Sequence, residues 1–258
     1  MRFGCCAGLD KIGVLQAAGY DYIEPAVGAV LPERPAGEFE EVRGQLKDYG
    51  ITPEAWNCFI PGDLKLTGPD VDFYRVERYV RTALERVAQL GGKIVVFGSG
   101  GARNITEGFP ETVARRQILE FLLLCGDVAA GHALTIAIEP LNKKESNVIN
   151  TVEEAVEFAE MAAHPRVKAL ADLYHIDEEK EPLRNVAAAG SAIVHTHTAD
   201  TGRLAPGTGS YDHKGFFHAL KEAGYNGRMS VECGWNDFDI ECKESLDFLR
   251  SAAKEAGY

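Results

Sequence analysis

Four polar residues close short apolar runs in the second half of the chain: Glu139 in TIAIE, Asp172 in VKALAD, His197 in AIVHTH and Glu232 in RMSVE. They are spaced 33, 25 and 35 residues apart. That is one strand-helix unit each, since a barrel of eight such units needs roughly 250 residues. Residues at matching ends of successive parallel strands converge on one face of a closed barrel. Three carboxylates and an imidazole meeting there form a donor set for one divalent metal ion. With no thiolate and a single histidine, the set favours Mn²⁺, Mg²⁺ or Co²⁺ over a structural zinc, with catalytic Zn²⁺ a further candidate. A buried strand-end carboxylate is costly unless paired or bound to a cation. One such residue reads equally well as a salt bridge or cap. Three in register argue for a shared site.

Two glutamates on a metal can do more than bind it. A cation that polarises a carbonyl or hydroxyl oxygen acidifies the neighbouring C–H, and carboxylates on either side can move the proton. That chemistry suits isomerisation or epimerisation of a hydroxy-ketone. His195 shares a strand face with His197 but lies one layer deeper, as a packed, hydrogen-bonded core histidine would. His175, three residues beyond Asp172, is either a substrate contact or a solvated loop histidine. Trp56 and Trp235 end the third and eighth strands. They either wall the pocket against a sugar's apolar face or pack beneath loops. Arg103 reads as a solvated surface charge; turned inward beside Arg203, it would call for a carboxylate or phosphate on the substrate. His132, His164, His213 and His218 fall away from strand ends and receive no role.

The elements that must position these residues alternate regularly. Strand candidates are 2–6, 21–25, 53–59, 93–98, 134–139, 167–172, 192–197 and 228–232. Several are apolar on both faces, as parallel strands covered by helices require. Residues 71–90 place Phe73, Val76, Val80, Ala83, Leu84, Val87 and Leu90 on one helical face, ended by Gly91-Gly92. Thr151-Val-Glu-Glu154 is a capping box. Further helices over 213–223 and 242–256 stop at Gly224 and Gly257. The pattern predicts an α/β chain folded as a single (β/α)₈ TIM barrel over residues 1–258, with a doubly wound sheet as the alternative. The Gly- and Pro-rich segments 60–70 and 98–110 are the long loops expected on the strands' C-terminal face.

Composition narrows the function. The 258 residues are 45% hydrophobic and 26% charged, with a net charge of −12. A chain so acidic lacks the basic groove of a nucleic-acid binder and is repelled by anionic membranes. No run has the length of a signal-peptide core or membrane span, so a cytoplasmic location is expected. Six cysteines without a C-x-x-C pair read as free thiols in a reducing compartment.

The stretch from Glu139-Pro-Leu-Asn-Lys-Lys-Glu145 through Asp172-Leu-Tyr-His175, His195-Thr-His197 and Arg203-Leu-Ala-Pro-Gly-Thr-Gly209 to Val231-Glu232 resembles the xylose-isomerase-like sugar isomerase/epimerase superfamily. Within it, the resemblance is to the D-tagatose and D-psicose 3-epimerase branch. It covers roughly residues 134–235. It implies that Glu139, Asp172, His197 and Glu232 hold one divalent metal and that the two glutamates are the acid/base pair. It further implies that Glu145, His175 and Arg203 contact substrate hydroxyls and the carbonyl end. The expected substrate is a small ketose or hydroxy-keto acid, reacting through a cis-enediolate, and a homo-oligomer is a common arrangement among such barrels. Lys143, Asp177, the Cys-Gly-Trp-Asn run after Glu232 and the GSGGARN loop depart from the branch. They imply a different pocket for the substrate's far end. A keto-inositol dehydratase would begin with the same proton abstraction. An endonuclease IV-like phosphodiesterase would need more site histidines and several zinc ions, and a binding protein could keep the metal without turnover.

Overall fold

In the computed structural model, which describes residues 1–258, eight strands form one parallel sheet. They are β1 (Arg2–Cys6), β2 (Tyr22–Glu24), β3 (Ala55–Trp56), β4 (Ile94–Phe97), β5 (Thr135–Ile138), β6 (Val167–Asp172), β7 (Ile193–Thr198) and β8 (Arg228–Val231). Hydrogen-bonded neighbours run β2-β1-β8-β7-β6-β5-β4-β3. Two isolated parallel bridges, Ile23 to Pro53 and Ala26 to Asn57, join the ends of this order and complete the ring. The expected TIM barrel is therefore the observed fold.

Ten helices connect and cover the strands: α1 (Ile12–Ala18), α2 (Ala36–Gln45), α3 (Phe73–Gln89), α4 (Gly100–Arg103), α5 (Glu111–Gly131), α6 (Val152–Ala162), α7 (Leu173–Glu178), α8 (Arg184–Ala189), α9 (His213–Glu222) and α10 (Phe238–Glu255). In α3 the predicted stripe is buried at Val76, Val80, Ala83, Leu84 and Val87, and each fully buried Val or Leu contributes roughly 1.5–3 kcal/mol. Phe73, placed on that stripe by periodicity, is 49% exposed instead; it is the first residue of the helix, beyond the reach of the barrel wall. Thr151 caps α6 by accepting from the Glu154 amide at 3.1 Å. Glu154 does not return the bond to Thr151 but reaches one residue further back, to the Asn150 amide. Helix α10 begins four residues before the predicted start, because Asp237 caps it. No helix is long and apolar enough to cross a membrane, and all six cysteines are free.

Side chains alternate across the barrel wall. Tyr22, Ala55, Ile94, Val96, Ala137 and Leu170 form a small apolar layer inside. Gly4 leaves room there for the Tyr22 ring, which a Cβ at that position would strike. The intervening strand residues pack against the helices in two separate clusters. One, of 35 residues, joins β3–β6 to α3, α5 and α6. The other, of 24, joins β1, β2 and β6–β8 to α1, α9 and α10. The boundary falls within β6, where Ala169 belongs to the first and Ala171 to the second.

The β6–β7 register slips by one residue between Ala169 and Leu170. Ala169 pairs with Ile193, but Leu170 pairs with His195 and Asp172 with His197. The extra residue turns both histidines onto the interior face that Leu170 and Asp172 occupy.

Candidate active site

The C-terminal ends of β5 to β8 bring Glu139, Asp172, His197 and Glu232 together, with donor atoms all within 4.8 Å of one another. Glu139 and Glu232 stand just past their strands. Their amides extend the ladder to the Phe97 carbonyl at 3.1 Å and the Thr198 carbonyl at 2.9 Å, so each carboxylate is set by regular sheet geometry. The His197 Nδ1 lies 2.9 Å from Glu139 Oε1 and 3.4 Å from Glu232 Oε2. Asp172 divides its oxygens: Oδ1 caps α7 by accepting from the Tyr174 amide at 2.8 Å, while Oδ2 is buried without a hydrogen-bond partner.

Around this cluster lies a second layer of polar groups. The His175 Nδ1 accepts from the Asn142 amide at 3.0 Å and from Asn142 Nδ2 at 2.9 Å. Its proton is therefore on Nε2, which is buried, unpartnered and 3.6 Å from Asp172 Oδ2. The ring is 1% exposed, so the solvated-loop reading is replaced by a buried N–H donor aimed into the site. Arg203 donates to Glu232 Oε2 at 3.0 Å and Glu145 Oε1 at 3.2 Å and lies over the Tyr174 ring at 4.8 Å. Its backbone is left-handed, with φ at 60°, and its carbonyl is held by the Gly234 amide at 2.7 Å. Strain of this kind, persisting because its surroundings fix it, is common at functional sites.

Two glycines make the approach of these groups feasible. A Cβ on Gly98 would collide with Glu139 Oε2, and one on Gly100 with the Glu145 carbonyl. The Gly-rich β4 loop is thus shaped by the carboxylate beside it.

Electrostatics push the acids apart. Burial raises the Asp172 carboxyl to about 8, with Glu139 adding to the shift. Burial also raises Glu139, reinforced by Glu232 and opposed by His197. Burial acts the same way on Glu232, but His197 and Arg203 outweigh it and bring that carboxyl down to about 2. Burial opposes charge on His197, yet Glu24, Glu232 and Glu139 hold its ring well above the usual imidazole range. For His175, burial and then Arg203 lower the ring to about 3, so it stays neutral. Protons on Asp172 and His197 thus offset an excess of negative charge that a dication would neutralise. The orphan Asp172 oxygen supplies a free donor. By charge and by donor chemistry the residues fit a divalent cation.

Two sequence expectations, for Trp56 and Arg103, are corrected. Trp56 is fully buried among helix-facing residues and donates to the Pro53 carbonyl at 2.9 Å; with Ala55 inside, alternation turns Trp56 outward, away from any pocket. Arg103 is 0% exposed. It donates to the Phe97, Glu139 and Ile149 carbonyls at 2.9, 2.9 and 3.2 Å, so it is neither a surface charge nor a partner of Arg203. Trp235 is half-buried, edge-on to Phe238 at 5.3 Å. Lys143 pairs with Glu179 at 2.9 Å on the exposed rim. His195 is the packed histidine expected, bonded to Glu24 at 2.7 Å.

Three contributors escaped the sequence reading. Asn142 sits in the quoted EPLNKKE motif and orients both His175 and Glu145. Cys6 ends β1 close to His197 and Glu232, its thiol kept protonated by burial and Glu24. Glu24 ends β2 and bonds both barrel histidines; the strand-end rule that found Glu139 applies to it equally.

Residues 12–252 match the family model described as xylose isomerase-like TIM barrel. The D-psicose 3-epimerase of Ruminiclostridium cellulolyticum is 33% identical over 87% of this chain and 76% of that protein. The 3-dehydro-D-guloside 4-epimerase of Escherichia coli is 26% identical over 87% and 86%. The crystal structure of D-psicose 3-epimerase with D-tagatose from Clostridium cellulolyticum H10 superposes with a TM-score of 0.86 at 23% identity, over 98% of this chain and 99% of that one. With its barrel, its strand-end acids and these relatives, the chain belongs to the xylose isomerase-like TIM barrel family, among its isomerase and epimerase enzymes.

Proposed function

We propose that this protein is a divalent-metal-dependent epimerase or isomerase of a small ketose or hydroxy-keto acid, with the whole 1–258 barrel as its catalytic unit. The observation that carries this reading is the pair of glutamates on either side of His197, whose carboxyls are driven in opposite directions by their surroundings. Glu139, Asp172, His197 and Glu232 would hold the cation, with Mn²⁺, Mg²⁺ or Co²⁺ favoured. When bound, it supplies Lewis acidity to vicinal substrate oxygens and so acidifies the C–H between or beside them. Glu232, ionised by His197 and Arg203, is the group that takes this proton. Glu139, whose carboxyl is raised, returns one from the opposite face of the resulting cis-enediolate. The His175 Nε2–H and the Arg203 guanidinium face the charge that develops on substrate oxygen. Glu145, bonded to Arg203 and Asn142, is placed to accept from a substrate hydroxyl. Relatives named for D-psicose and for 3-dehydro-D-guloside support a ketose or keto-sugar substrate.

The test is exchange of substrate C–H for deuterium in D₂O, across a ketose panel, by the Mn²⁺-loaded enzyme. Glu139→Gln and Glu232→Gln should each cut exchange at least a hundredfold. Wild-type exchange rates in both variants would refute the assignment. NMR of the products separates inversion from loss of water, the outcome that would identify a dehydratase.

A further inference from the structure

We propose that Glu24 is a positioning residue that fixes the His197 ring and its tautomer, leaving Nδ1 as the only atom of that ring able to bind the cation. The inference rests on the reading of His197 as a metal ligand. It adds a determinant from the opposite side of the barrel, where none of the four proposed ligands originates.

Glu24 ends β2 and is 0% exposed. Its two oxygens are committed to named donors. Oε1 receives the His197 Nε2–H at 2.8 Å. Oε2 receives the His195 Nε2–H at 2.7 Å and the Ser230 hydroxyl at 2.5 Å. Ser230 is in turn 2.8 Å from the Tyr22 hydroxyl, so a chain of groups from β1's two neighbours, β2 and β8, holds the carboxylate. A carboxylate only accepts, so each imidazole must present N–H to it. With the Nε2 proton committed to Glu24, Nδ1 is the ring atom left to face Glu139 and Glu232; its own proton, shared with those carboxylates in the metal-free protein, is the one a cation displaces.

The arrangement is expensive without a purpose. Glu24 adds a buried negative charge directly beneath a cluster of three carboxylates, where an apolar residue would raise no repulsion. His195 commits its Nε2–H to Glu24 at 2.7 Å, with Ser230 Oγ a longer 3.5 Å away, and leaves its own Nδ1 buried and unpartnered, as expected of a buttress rather than a ligand. A carboxylate behind a metal-bound imidazole both orients the ring and raises its basicity, and losing such a partner typically weakens metal binding by roughly 10–100-fold. Glu24, His195 and His197 also lie close enough to hold a second ion, but their separations are those of hydrogen bonds already made.

The experiment is calorimetric titration of chelator-stripped wild type, Glu24→Gln and Glu24→Met with Mn²⁺, with near-UV circular dichroism to confirm folding. The Met variant keeps the side chain's length and removes both acceptors. Gln keeps one. The expected order of affinity is wild type, then Gln, then Met at roughly 10–100-fold weaker, all at one ion per chain. A Met variant that is folded and within twofold of wild type overturns the proposal, as does a second ion lost on substitution. Failure of wild type itself to bind Mn²⁺ overturns the reading of the site, and this inference with it. The ¹⁵N-histidine spectrum of the Zn²⁺-loaded wild type gives a measurement independent of any variant's folding. His197 protonated at Nε2 supports the proposal, and protonation at Nδ1 refutes it.

Discussion

Replacing Asp172 with Asn should make the metal-free protein more stable while removing its ability to be stabilised by a cation. The folded carboxyl titrates at about 8 against an ordinary value of 3.8. Each pH unit between these values costs the folded state about 1.4 kcal/mol, so at pH 7 the penalty reaches roughly 4 kcal/mol. The sign follows from linkage: this is an acid whose folded value is raised, so the penalty is absent below the unfolded value, grows as pH rises, and is complete above about 8. Asn retains an oxygen for the Tyr174 amide, which Oδ1 now caps, and places an amide where the orphan oxygen stood. In EDTA the variant should be more stable by about 4–6 kcal/mol at pH 8.5 and by under about 2 kcal/mol at pH 5, read from urea midpoints. Mn²⁺ at a thousandfold excess over its dissociation constant should add about 4 kcal/mol to wild type and far less to the variant, closing most of the gap. A variant less stable than wild type at pH 8.5 in EDTA would refute the electrostatic argument. Equal stabilisation of both proteins by Mn²⁺ would refute the ligand assignment.

Three further outcomes follow from contacts described above. Arg103→Ala should destabilise by at least about 3 kcal/mol in urea unfolding, because three buried carbonyls each lose a donor; a change under about 1 kcal/mol would show that water replaces the guanidinium. Gly98→Ala should leave circular dichroism unchanged but weaken Mn²⁺ binding at least tenfold by calorimetry, since its Cβ displaces the Glu139 carboxylate. Arg203→Met removes a cation that lowers Glu232, so the acid limb of the pH–rate profile should move to higher pH; an unmoved limb would mean that Glu232 is not the base.

The strands and the acid cluster were legible because both obey simple periodicities. Parallel strands covered on both faces read as short apolar runs, and a charged residue closing such a run stands out. Glu139, Asp172 and Glu232 all have this form. Glu24 has it too, but β2 is three residues long and ends before a proline, so the run is too short to draw notice. Trp56 was misplaced by a single step in the inside-outside alternation, which a two-residue strand barely defines. Arg103 lies in a stretch whose glycines read as an exposed loop. It is buried only because that loop bonds to the preceding one, through the Leu66 amide to the Ala102 carbonyl and the Thr67 hydroxyl to the Asn104 carbonyl. Long-range closure of this kind leaves no local trace in sequence.

The two helix-facing clusters bear on how the protein holds itself together. Glu139 follows a strand of the larger cluster, His197 lies in one strand of the smaller and Glu232 follows another, and Asp172 ends the strand that both share. A cation gripped by all four would tie two half-barrels that otherwise meet along the middle of β6 and at the thin β2–β3 seam. Occupancy would then govern cooperativity as well as reactivity. The metal-free chain could loosen one half ahead of the other, whereas the loaded chain would be constrained to unfold in a single transition. The reactive centre would double as the clasp of its own scaffold.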